Sequence, residues 1–325
     1  MQMREMEYHI PALLPQVLEA LDIRADGVSV DVTYGGGGHS RAIVERLSPG
    51  GVVGDISDVT DKSDRTCRAG HLYGFDQDRD AVERCMHDGR FTMVYSNFRY
   101  LTNFMRYYSV EHVDGILADL GVSFHHFDSV ERGFTFREGS APLDMRMNGQ
   151  GRVTAASVIA DSDEARLSEI FRLYGEMQGA GRIARAIVKA RESRGAITTA
   201  GELMQVVEPL INPARRKKEL AQLFQALRIV VNDEIGALRT LLSSSLRLLA
   251  PGGRLAVISY HSLEDRLVKN FMRSGNIEGR IEKDFYGNST SPLRLLNSKP
   301  IVPDEAEIEA NPRSRSAKLR VAVKL

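Results

Sequence analysis

The stretch VSVDVTYGGGGHSRAIVERL, residues 28–47, decides the fold. Its first seven residues are rich in β-branched side chains and read as a strand. Four glycines then end the strand, and HSRAIVERL has the apolar spacing of a helix. Strand, glycine turn and helix in that order open an α/β unit of the nucleotide-binding kind. Without Cβ atoms the backbone from Gly35 to Gly38 lets a ligand approach, and the start of the helix offers unpaired N–H groups. The spacing is not GxGxxG, so the turn alone is weak evidence: it favours a ligand cradle over a mere tight corner, and the next strand must decide.

The same alternation continues on both sides. Upstream, Leu13, Leu14, Val17, Leu18 and Leu21 predict a helix over Pro11–Asp22. Downstream, LYGF (72–75) precedes a helix predicted from Arg79 to Met86, FTMVYS (91–96) precedes one from Leu101 to Tyr108, and VDGILADL (113–120) reads as a further strand. Repeated alternation predicts an α/β fold, a parallel sheet covered by helices on both faces. From 128 to 222 only helical periodicity is present, as at Ile170, Leu173, Ile183 and Ile187, with Thr199 and Glu202 placed as a capping box. Strand patterns return in RLAVISY (254–260), followed by a helix opened by Ser262 with Asp265 three residues on, and in the basic AKLRVAVKL (317–325). The expected organisation is a discontinuous sheet domain, 1–127 with 223–325, interrupted by a helical insertion, 128–222.

Composition bounds what such a chain does. A length of 325 residues exceeds the ~250–300 at which single cores stop growing, which agrees with an inserted domain. No run approaches the ~18 apolar residues of a membrane span, and residues 1–10 lack an apolar secretion signal, so a cytoplasmic protein without membrane partners is expected. Cys67 and Cys85 are the only cysteines, too few for a disulfide scaffold or a four-cysteine zinc site. His125 and His126 have no further ligand at metal spacing, so no metal is expected. Forty-three basic residues balance 43 acidic ones, and any attraction to nucleic acid must be local. Two clusters qualify: NPARRKK (212–218), and NPRSRSAKLRVAVKL (311–325). Twelve of the fifteen basic residues in 128–222 are arginine, the side chain suited to bidentate phosphate contact.

Two carboxylates stand out from the pattern. Asp76 ends the strand that follows the glycine turn, where an acid accepts ribose hydroxyls or caps the next helix. Asp31 lies inside the first strand, where an isolated carboxylate is costly, so a cationic or hydroxyl partner is implied.

Nine motifs in order, HIPALLPQVLEAL (9–21), DVTYGGGGHS (31–40), FDQD (75–78), DGILADLGVS (114–123), ERGFTF (131–136), PLDMRM (142–147), FQALRIVVN (224–232), LAPGGRLAVISYHSLEDR (249–266) and NPRSRSAKLRV (311–321), resemble the ribosomal RNA small subunit methyltransferase H family. The resemblance spans nearly the whole chain. It implies a Rossmann-like methyltransferase domain with a helical domain inserted after the fourth strand. The implied activity is S-adenosylmethionine-dependent N4-methylation of a cytidine in the decoding region of 16S small-subunit ribosomal RNA. The substrate it implies is that RNA or the assembled subunit, and it gives the insertion a part in recognising RNA. The family's cofactor contacts fall on Gly37, Gly38, His39, Asp76, Phe98, Asp119 and His126. The chain departs from the family twice: SFHH (123–126) replaces the usual SSPQ, and the polar segment 55–70 lengthens the link into the second strand. That segment is expected to be a dispensable surface loop.

Methyl transfer to an amine needs in-line positioning and an acceptor for the amine proton. Asp119, at the end of the fourth strand, is the candidate acceptor. Methylation at ring carbon C5 needs a cysteine nucleophile, and neither cysteine is placed for it, which favours nitrogen. His261 either lines a base pocket or caps a helix, and Phe134 and Phe136 either frame a base or pack a hinge. The alternatives are a nicotinamide-dependent oxidoreductase, which lacks a recognisable hydride-transfer constellation here, and a non-catalytic RNA-binding or ribosome assembly factor with a methyltransferase-like fold.

Overall fold

The structure, a computed structural model, describes residues 11–49, 69–121 and 129–325. The chain divides into two compact units, Met1–Gly121 with Ala237–Leu325, and Val122–Gly236. The second is wider than the expected 128–222.

In the first unit α1 (Leu14–Leu21) precedes β1 (Val28–Asp31) and α2 (Gly38–Val44). Then come β2 (His71–Asp76), α3 (Arg79–Glu83), β3 (Phe91–Tyr95), α4 (Leu101–Tyr107) and β4 (Val113–Asp119). The sheet order is β3-β2-β1-β4-β5-β7-β6, with β5 at Leu249–Ser259, β6 at Leu293–Leu295 and β7 at Lys318–Lys324. The first five strands are parallel, whereas β7 runs antiparallel to both β5 and β6. Three-residue β6 carries too little pattern to be read in the sequence. It is an antiparallel edge on a sheet expected to be parallel.

Period-two alternation fixes the two faces. Ile116, Ala118, Leu255 and Val257 point to one side, where α4, α10 (Glu234–Leu248) and α11 (Ser262–Ser274) pack through Leu101, Met105, Leu241, Val268 and Phe271. Leu117, Ala256, Ile258 and Leu319 point to the other, against Val17 and Leu21 of α1 and Ile43 of α2. Burying each of these large apolar side chains contributes roughly 1.5–3 kcal/mol. Arg320 of β7 is buried and donates to both carboxylate oxygens of Asp265 on α11, at 2.6 and 3.2 Å. A buried guanidinium is tolerable only when so paired.

Local signals moved by a few residues. Helix α3 stops at Glu83, three residues short of expectation, so Cys85 lies past it in an irregular link. Helix α11 is capped at His261 with Glu264, one residue earlier than the Ser262 and Asp265 read from sequence: the Glu264 carboxylate accepts from the N–H groups of Tyr260 and His261. The box at Thr199 and Glu202 is present as read.

The second unit holds α5 (Ala155–Asp161), α6 (Glu164–Leu173), α7 (Ala180–Arg194), α8 (Ala200–Val207) and α9 (Arg216–Asn232). No strand occurs among its described residues, only an isolated bridge between Pro142 and Thr199. Its core gathers Leu167, Ile170, Phe171, Ile183, Leu203 and Leu223. Phe134 is buried in that core, and Phe136 packs edge-on against Phe224 with ring centroids 5.4 Å apart. Both rings therefore serve packing, which answers the question left open for ERGFTF. Among the described residues no helix is long and apolar enough to cross a membrane.

Candidate functional site

The carboxyl edges of β1, β2, β4 and β5 and the start of α2 bring the singled-out residues together. Leaving β1, the chain turns through four glycines. Gly37 has φ 74°, a left-handed conformation, and a Cβ there would run into the Tyr34 hydroxyl, so only glycine fits. At Gly36 a Cβ would meet nothing within 4 Å, which leaves the turn's backbone open to a ligand.

Asp76 holds that turn. Its Oδ2 accepts the Gly35 N–H at 2.8 Å and its Oδ1 accepts the Asp78 N–H at 2.8 Å. The cap of α3 is Asp78, accepting from the Asp80 N–H, so Asp76 is not the helix cap. Phe98 begins a one-turn 3-10 helix capped by Asn97, and its ring packs against the sheet core.

Asp31 has the hydroxyl partner its burial demands. Its Oδ2 accepts the Ser40 O–H at 2.6 Å, while Oδ1 accepts the Thr33 N–H at 3.1 Å. Burial still raises its pKa above the usual carboxylate range, against the opposing effects of Ser40, His39 and Thr33. The Thr33 hydroxyl in turn accepts the Asp119 N–H at 2.6 Å, fastening the end of β4 to that of β1.

Asp119 is the chemical centre of this edge. Its Oδ1 accepts the Tyr260 O–H at 2.9 Å, and its Oδ2 lies 3.7 Å from His39 Nδ1. His39 is buried, with Nε2 at 3.0 Å from the Ala12 carbonyl. Burial pushes the Asp119 carboxyl up to about 6; His39 and the Tyr260 hydrogen bond oppose this, and the negative charges of Asp31 and Glu264 add to it. Burial, then the Asp119 charge, raises the Tyr260 phenol far above its ordinary value, so it stays a donor. With 23% of its side chain open to solvent, Asp119 is both desolvated and reachable.

Sequence reading found Gly37, Gly38, His39, Asp76 and Asp119 on this edge, but missed Ser40, Thr33, Tyr260 and Glu264. Tyr260 had a legible signal: it ends the strand next to the one that ends in Asp119, two residues past the Asp119–Ile258 pairing. His261 is the N-cap residue of α11, its Nε2 3.1 Å from Glu264 Oε1. His126, Cys67 and residues 55–68 of the polar segment lie outside the described residues. Cys85 lines a hollow of about 470 Å³ with Met86, His87, Asp88, Gly89, Phe91 and Met93, none of them a residue of the site. Arg215, Arg216, Lys217 and Lys218 are exposed, with Arg216 bridged to Glu208. The second basic cluster is only partly a surface. Arg313 and Arg315 are exposed, whereas Arg320 is buried, Lys318 stands 3.9 Å from Asp265, and Lys324 donates to the Leu249 carbonyl.

A mostly parallel sheet with a glycine turn and acids at its carboxyl edge defines a Rossmann-like protein. Sequence comparison specifies it further. The model of the MraW methylase family matches residues 6–62 and 63–325, and the chain belongs to that family. Proteins named ribosomal RNA small subunit methyltransferase H are similar to it end to end. That of Bacteroides thetaiotaomicron is 53% identical over 324 residues, covering 100% of both chains. The Parabacteroides distasonis protein is 53% identical over 326 residues, again 100% of both. One from Porphyromonas gingivalis is 51% identical over 325 residues, 99% of this chain and 98% of the other.

Proposed function

We propose that this chain methylates N4 of a cytidine in the decoding region of 16S small-subunit ribosomal RNA, using S-adenosylmethionine. The observation that carries the reading is a partly open, desolvated carboxylate, Asp119, at the strand edge beside the glycine turn. Family membership supports methyl transfer, and the names of the full-length relatives support a small-subunit ribosomal RNA substrate.

The residues fit the cofactor. The open backbone at Gly36 forms a cradle, Gly37 and Gly38 shape the turn beside it against Tyr34 and Pro11, and Asp76 is the strand-end acid that receives ribose hydroxyls. Phe98 completes the cofactor side together with His39, Asp119 and, outside the described residues, His126. Bound S-adenosylmethionine supplies an electrophilic methyl group and leaves as a neutral thioether.

Cytosine N4 is a weak nucleophile because its lone pair is delocalised into the ring. Asp119 accepts its N–H, raising electron density on nitrogen and taking the proton released when the N–C bond forms. The helical unit, through Arg215, Arg216, Lys217 and Lys218, supplies phosphate contacts, joined by Arg313 and Arg315. The location of Cys85 in a separate hollow supports nitrogen over C5. Mass analysis of nucleosides from small-subunit RNA, with and without the gene for this chain, tests the reading: N4-methylcytidine disappears on deletion and returns with the wild-type gene. An unchanged nucleoside profile overturns it.

A further inference from the structure

The bonding of His39 has a chemical consequence. A carbonyl oxygen only accepts, so the 3.0 Å contact with Ala12 places a hydrogen on His39 Nε2. In the neutral ring Nδ1 is then a bare acceptor, and it faces Asp119 Oδ2, another acceptor, at 3.7 Å. At that distance His39 makes no hydrogen bond to Oδ2, which stays available on the open side of the carboxylate. Asp119 Oδ1 is meanwhile occupied by the Tyr260 O–H at 2.9 Å. Tyr260 is itself held, since its N–H donates to the buried Glu264 carboxylate at 3.1 Å and its ring packs, partly buried, against the core on the α1 and α2 side of the sheet.

We propose that Tyr260 is a positioning residue that acts through Asp119: it pins Oδ1 as a hydrogen-bond donor and leaves Oδ2 to take the amine proton. This rests on the reading of Asp119 as the acceptor of the amine proton. As the nitrogen bonds the incoming methyl carbon and the carbon–sulfur bond breaks, one N–H proton moves to Oδ2. Tyr260 keeps its own proton throughout, so no oxidant, reductant or additional base is needed. The ionisable groups facing Asp119 are His39 of α2, Asp31 of β1, Glu264 of α11 and Tyr260 after β5. Asp31 and Glu264 oppose its ionisation, whereas the Tyr260 hydrogen bond and His39 favour it.

The test titrates the carboxyl carbon of Asp119 by NMR in the ligand-free protein, alongside single-turnover methylation against pH. In wild type the carboxyl midpoint lies at about 6. Tyr260→Phe removes a donor to the ionised form and moves the midpoint up by about one pH unit, equivalent to about tenfold in proton affinity. In Tyr260→Phe the single-turnover rate at pH 6.5 falls about threefold, the loss of ionised carboxylate that a one-unit shift from about 6 gives, and recovers as pH rises, with affinities for S-adenosylmethionine and RNA unchanged. A purely structural tyrosine would not give that pH-dependent recovery. An unchanged midpoint in Tyr260→Phe overturns the proposal while leaving the methyltransferase reading intact. Full turnover by Asp119→Asn overturns the acceptor reading and this proposal with it. Should the variant fail to fold, Tyr260 ring resonances that do not follow the Asp119 titration in wild type overturn the proposal without any substitution.

Discussion

Every buried polar or charged residue in the described chain belongs to the sheet unit, among them Asp31, His39, Ser40, Glu264 and Arg320, and none to residues 129–236. The helical unit fills its interior with Leu, Ile, Phe, Ala, Met and Val and leaves its charged groups outside or partly covered. Burying a polar group is costly unless it is bonded, so a unit that buries many must align many hydrogen bonds at once. The sheet unit does this along one edge, through Asp31, Ser40, Thr33, Asp119 and Tyr260. The helical unit has apolar packing inside and charged groups of both signs outside, with no buried polar side chain among its described residues.

The sharpest way to break this contrast is Asp119→Asn. Turnover is expected to fall about 10²–10⁴-fold at saturating substrates, as when a positioned proton acceptor is removed. Single-turnover kinetics check this, and a defect cured entirely by excess S-adenosylmethionine would refute it. The same variant has a stability signature. The folded pKa of about 6 is raised above the ordinary 3.8, so the contribution of Asp119 is fully present below pH ~4 and is lost as pH rises through about 6. Asp119→Asn is therefore expected to gain on wild type by up to about 3 kcal/mol between pH 4 and 7, read from urea melts.

Phe171→Ala probes the other unit. Phe171 is fully buried, and truncating it is expected to cost about 3–5 kcal/mol with no change in the pH dependence of stability. A pH-dependent loss would show that the helical core contains a titrating group after all.

Asp76→Ala comes next in size. It frees the Gly35 and Asp78 N–H groups and removes the ribose acceptor, so calorimetry should show S-adenosylmethionine affinity lowered by about 1.5–3 kcal/mol. Unchanged affinity would confine Asp76 to holding the glycine turn. The smallest effects belong to the surface. Neutralising Arg215, Arg216, Lys217 and Lys218 should flatten the salt dependence of RNA binding more than neutralising Arg313 and Arg315 does, because four exposed cations release more counterions than two. Equal slopes in both variants and wild type would make both clusters ordinary surface.

Much of this molecule was determined by sequence order alone. Apolar period and glycine position are local properties, so the first five strands, the helical stretch after β4 and the glycine turn could be read from residues a few places apart. The family motifs placed Asp76 and Asp119 at strand ends, and the burial of an acid in VSVD called for the hydroxyl that Ser40 provides. Tertiary structure decided the rest, because it depends on residues far apart in the chain. The antiparallel edge at β6 rests on a three-residue strand meeting β7. The basic C-terminal run was split by Asp265, 55 positions from Arg320, which drew one arginine inward and left two outside. The link between Tyr260 and Asp119 spans 141 positions, and His39 owes its tautomer to a carbonyl 27 residues upstream. Which group holds a proton depends on burial and on the nearest donor, and both are set by folding.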